Sequence, residues 1–133
     1  MAAASAYMAK VLLDYSFGGA AAVQPGSRFC ALFSGIPTSV YFYGSELNTI
    51  MGYTRLTTLW GAAASPAGSA SNTAALTFGP FSSQEPIVAA GIMDAGIFSA
   101  GNNVVFGTLA TARTVNPGDT LIFAAGALLA TMT

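Results

Sequence analysis

Hydrophobic and polar positions change their period once along this chain. Between residues 7 and 15 the apolar side chains Tyr7, Val11 and Tyr15 share a stripe with Met8 and Leu12 beside it, the spacing of a helix. Ser5 stands where an N-cap belongs, Lys10 and Asp14 lie one turn apart, and Gly18-Gly19 ends the pattern. Beyond Gly19 the period falls to two. Pro25-Gly26 opens a strand over residues 29–34, where Phe29, Ala31 and Phe33 alternate with Cys30 and Leu32, so that both faces are apolar. Residues 40–43 read as a short aromatic strand and 45–52 as a loop. Residues 53–61 resume the strand pattern with Leu56, Leu59 and Trp60, and 62–71 form a small-residue loop. Over residues 72–79, Ala74, Leu76 and Phe78 alternate with Thr73, Ala75 and Thr77, which predicts a half-buried strand.

The second half is more regular. Residues 87–93 and 96–98 are strand-like, and Gly101-Asn102-Asn103 turns the chain into 104–109, a predicted hairpin. Asn116-Pro117-Gly118-Asp119 carries the chemistry of a type II turn. An apolar strand over 120–131, interrupted by Gly126, follows. Many short strands with closely spaced turns predict an all-β fold, an antiparallel β-sandwich of jelly-roll type with a short N-terminal helix. The expected organisation is a helix or arm over residues 1–19 and one β domain over 20–133. Phe29, Phe33, Trp60, Leu76, Phe78, Ile92, Phe106, Leu121 and Phe123 are the expected core.

Composition narrows the function. Charged residues are 7% of the 133, against about 25% in an average soluble domain, and hydrophobic residues are 53%. There is no histidine, and Cys30 is the sole cysteine. Disulfide frameworks, His/Cys zinc sites and His-based triads are therefore excluded. The four basic residues, Lys10, Arg28, Arg55 and Arg113, are scattered, so no direct nucleic-acid contact is expected. Uncharged runs are broken by Gly, Pro and hydroxyl residues, so no membrane span is expected, and no secretory leader is legible at residue 1. Nine charged side chains at a net charge of −1 supply little repulsion between copies, which predicts self-association.

Candidate chemistry is sparse. Of the five carboxylates, Glu85 and Asp94 are the pair that strands could bring together for acid–base work, but Glu85 precedes Pro86 and Asp119 sits in a turn. No base stands ready to activate Cys30, which is expected to be a buried structural thiol. No catalytic, metal-binding or cofactor-binding residue is predicted. The aromatic group Tyr41, Phe42, Tyr43, Tyr53 and Trp60 borders a loop and could stack on a sugar or anchor a protein. Tyr41, Tyr43, Tyr53 and Arg55, with Tyr7 and Val11 of the helix, are the candidate partner interface.

Several stretches carry a resemblance. YMAKVLLDYSFGG at residues 7–19 is similar to the helix and Phe-Gly-Gly opening of a family of small tailed-bacteriophage virion proteins, commonly described as tail-fibre-like or minor structural proteins. FCALFSGIPT at 29–38, GYTR at 52–55, ASNTAALTFGP at 70–80, AAGIMDAGIFSAGNNVVFGTL at 89–109 and TVNPGDTLIFAAGALLATM at 114–132 follow in order. Residues 38–50, with Tyr41-Phe42-Tyr43, depart from the Gly- and Thr-rich loop of that family and mark a place to meet a member-specific partner. The resemblance implies a non-enzymatic virion component, assembled in the bacterial cytoplasm, homo-oligomeric and bound to other virion proteins. The resemblance does not place the protein within the particle; a small single domain, absent enzyme chemistry and an uncharged surface fit first a capsid decoration or cement protein on the major capsid protein lattice. The alternative is a tail-fibre or baseplate accessory that contacts host glycan.

Overall fold

The computed structural model describes residues 2–19, 21, 26–38, 45–64 and 68–131. Strand β1 (Ala2–Ala4) leads directly into helix α1 (Ala6–Phe17). The helix begins where the sequence places its cap: Met8 N–H donates to Ser5 Oγ at 3.1 Å. It ends at Gly18, which takes the left-handed conformation (φ 71°) that a side chain would resist, and the Gly18 N–H bonds back to Asp14 O.

The principal sheet is antiparallel, in the order β1-β7-β6-β2-β3, with β2 (Phe29–Phe33), β3 (Leu56–Thr57), β6 (Glu85–Met93) and β7 (Asn103–Val115). Two ribbons complete the strands: β4 (Ser69–Ser71) with β9 (Leu129–Thr131), and β5 (Leu76–Phe78) with β8 (Leu121–Phe123). All the pairings are antiparallel. The described elements are strands, one helix and a 3₁₀ turn at Thr49–Met51, so the fold is all-β in class.

Register explains the core. Cys30 lies opposite Ile92 and Leu32 opposite Ala90, so these side chains share one face of the sheet; Ala31, Phe33 and Ala89 share the other. Cys30, Leu32 and Ile92 pack with Leu76 and Phe78 of the β5 ribbon and with Leu47, Tyr53, Phe81, Ile87, Val104 and Val115. Phe78 is the hub: its ring stacks on Tyr53 with centroids 6.1 Å apart and meets Phe123 edge-on at 6.1 Å. Ala31, Phe33, Ala89 and Met93 form a second buried cluster.

Several expectations need correction. Residues 72–79 form a strand only at β5, because Asn72 turns inward: its Nδ2 donates to Ala74 O (2.8 Å) and Ala124 O (3.0 Å), and its Oδ1 accepts from Leu128 N–H (2.9 Å). Those bonds, with Gly126 at φ 80°, also divide the strand expected over 120–131 into β8 and β9. The strand expected over 53–61 is reduced to β3, and 96–98 lies in the turn between β6 and β7. Phe29, Trp60, Phe106, Leu121 and Phe123 are half-buried, whereas Tyr53, Leu47, Phe81 and Ile87 supply core that was not expected. The Asn116–Asp119 turn forms as read, with Gly118 at φ 90° and Asp119 N–H bonded to Asn116 O at 3.0 Å. The aromatic strand at 40–43 lies outside the described residues.

Candidate functional surfaces and the family

The outer edge of β2 is closed by one loop that pairs with it twice. Thr57 and Leu56 pair with Phe29 and Cys30 at one end; Glu46 pairs with Phe33, and Leu47 N–H bonds to Leu32 O at 3.0 Å, at the other. This return brings Glu46, Tyr53 and Arg55 together beneath the surface. Arg55 grips Glu46 with two bonds, Nε to Oε1 and Nη2 to Oε2, both 2.7 Å. Tyr53 OH donates to Glu46 Oε1 at 3.0 Å and accepts from Leu32 N–H at 3.2 Å. Burial first, and the Glu46 carboxylate second, hold the Tyr53 phenol well above the usual tyrosine range.

The remaining Arg55 nitrogen reaches across the molecule. Nη1 donates to Ala95 O at 2.6 Å and Ala100 O at 2.8 Å, clamping the turn that joins β6 to β7. Inside that turn Asp94 accepts from Asn102 N–H (2.5 Å) and from Asn102 Nδ2 (2.8 Å). Gly101 sits at φ 79° where a Cβ would fall 2.5 Å from Asp94 Oδ1 and from Ala95 Cβ, so the turn requires glycine there. Arg55 thus locks one loop to another.

This arrangement corrects the reading of Tyr53 and Arg55 as partner-facing. Both are buried, and the polar contacts described above all run to groups within the protein. Tyr41 and Tyr43 lie outside the described residues. Tyr7 and Val11 are half-buried on α1. Glu46, which completes the network, carries no periodic signal and reads from pattern alone as part of a loop; only the fold brings it to Arg55.

Two further carboxylates serve local structure. Asp14 pairs with Lys10 along α1, and Asp119 Oδ2 accepts from Asn116 N–H at 2.9 Å. Glu85 and Asp94 do not converge: Glu85 opens β6 and Asp94 follows its end, about 30 Å apart along an extended strand. No group of three metal-ligating side chains occurs among the described residues. Cys30 is fully buried, and burial pushes its thiol up to about 12.

Several large apolar side chains reach the surface. Leu13, Tyr15 and Phe17 project from α1, and Ile36, Leu59, Ile97, Ile122 and Leu129 are also exposed. A cleft of about 530 Å³ runs between β6–β7 and the segment carrying β8 and β9, with Trp60, Phe106, Arg113, Ile122 and Leu129 on its walls. Opposite Val88, β7 makes a long bulge: Ala89 pairs with Thr108 and Ile87 with Arg113, leaving residues 109–112 of β7 outside the register. No described helix is long and apolar enough to cross a membrane.

In this all-β fold the ion pair and the turn carboxylates hold the structure together beneath a charge-poor surface. The particular family follows from comparison: residues 3–131 match the model of the family described as Podophage GP4 fiber I protein gp80, and the chain belongs to that family. No curated protein matches the chain.

Proposed function

We propose that this protein is a non-catalytic, homo-oligomeric part of the phage fibre apparatus, in contact with other virion proteins. The observation that carries this reading is the match to a fibre family over residues 3–131. It favours the fibre placement over the capsid decoration that the sequence first suggested. The apolar, charge-poor surface supports association between copies, since exposed Leu13, Tyr15, Phe17, Ile122 and Leu129 are costly to leave in water. The engagement of Glu46, Asp94 and Asp119 in structural bonds supports a role without acid–base chemistry.

Particles assembled without this protein discriminate the two placements. A fibre component is expected to leave DNA-filled heads with unchanged resistance to heat while adsorption to host cells drops. Heads that lose their genome on mild heating while adsorption stays normal would overturn the fibre reading in favour of decoration.

A further inference from the structure

Helix α1 has two apolar faces and uses only one of them. Met8 packs against the core of its own chain, with Val11 and Leu12 half-buried on the same side. On the far side, Ala6, Ala9, Leu13 and Phe17 follow the i, i+3, i+7, i+11 spacing of a continuous stripe, and each of the four is exposed. No residue of the helix is fully buried. A free helix of twelve residues is marginal in water, and one that is apolar on opposite sides calls for cover on both.

We infer that this outer stripe packs antiparallel against the same stripe of a second copy of the chain. The argument for a second copy is complementarity in size and in charge. Antiparallel alignment about the middle of the helix sets each bulky Phe17 over the partner's small Ala6 and each Leu13 beside the partner's Ala9, so large side chains fill the space that alanines leave. Lys10 and Asp14 flank the stripe on one side, and the same alignment brings Lys10 of each copy toward Asp14 of the other. A helix carrying one residue of each sign has no net charge with which to select a strongly charged foreign surface. Every copy presents the stripe alike, because β1 pairs with β7 and Ser5 caps the helix at the sheet edge.

This inference rests on the homo-oligomer reading, and two measurements separate their failures. Light scattering of the purified full chain reads mass against concentration; a Leu13→Ser/Phe17→Ser variant is expected to lose the oligomer while keeping the β-sheet circular dichroism of the wild type. A wild type that is monomeric at every concentration overturns both readings. An oligomer of unchanged mass in the variant overturns the helix contact alone. Orientation is read by disulfide trapping with mild oxidant, for which buried Cys30 is silent. A mixture of Ala6→Cys and Phe17→Cys copies is expected to give a covalent heterodimer, whereas Phe17→Cys copies alone are not, since antiparallel alignment separates those sites by about 16 Å. Rapid trapping of Phe17→Cys copies with one another, and none in the mixture, overturns the antiparallel pairing.

Discussion

Glu46 and Arg55 form a two-point ion pair with both side chains shut away from solvent, 0% and 1% exposed, although pattern alone reads Glu46 as part of a loop and Arg55 as part of a strand. The pair is complete in hydrogen bonding: Tyr53 adds a third bond to the carboxylate, and two turn carbonyls take the far end of the guanidinium. Desolvation offsets much of its Coulombic gain, so its value lies in fixing which loop meets which. Removing one partner is a different matter, because the other charge is left buried and alone.

Arg55→Met is therefore expected to destabilise the protein by about 3–5 kcal/mol. The double variant Glu46→Leu/Arg55→Met should lose clearly less than the sum of the two single changes. Urea denaturation of all four proteins checks this as a double-mutant cycle. Additive losses would mean that the two side chains act independently.

Asn72→Ala tests the tie between the β4–β5 connection and the segment leading to β9. Three side-chain bonds go, leaving the Leu128 N–H and two carbonyls without those partners. A loss of about 1–3 kcal/mol is expected. Hydrogen exchange should show faster exchange at Leu128, while amides of β2 and β6 keep their protection relative to global unfolding.

Phe78→Ala removes the ring on which both Tyr53 and Phe123 rest. Its residue is 1% exposed in the core, and the cavity left behind should cost about 3–5 kcal/mol by chemical denaturation. Phe106→Ala, on a half-buried ring, is expected to cost less.

Cys30 gives a pH dependence with a definite sign. Burial raises its thiol from 9.0 to about 12, so above pH 9 the unfolded chain binds fewer protons than the folded one. The contribution is fully present below pH 9 and is lost as pH rises from about 9 to 12; Tyr53, also raised by burial, acts in the same direction at high pH. Stability measured at pH 7 and pH 10.5 should fall more for the wild type than for Cys30→Ala. A thiol reagent at neutral pH should label the wild type only after unfolding.

The sequence is most readable where local chemistry decides the outcome. Helix α1 runs from the Ser5 cap to the Gly18 stop, and β2, β6 and the Asn116–Asp119 turn stand where alternation and turn residues place them. It is least readable where a distant partner decides. Three alanines carry no strand signal, yet β1 forms because the edge of β7 offers it a register. Alternation through residues 72–79 is real, but Asn72 leaves it for bonds with residues 124 and 128 that no local pattern reveals. The same holds for the ion pair: Arg55 could be singled out in the sequence, but Glu46 and the Ala95 and Ala100 carbonyls become its partners only through the sheet. The aromatic ring and polar tip of Tyr53 suggest a partner surface, yet both are satisfied inside, by Phe78 and by Glu46.

Location in the particle tests the fibre account most directly. Antibody raised against the folded protein, coupled to gold and applied to intact virions, reads that location by electron microscopy. The account predicts label on the fibres and heads free of gold. Gold spread evenly over the capsid surface, with the fibres unlabelled, would contradict it.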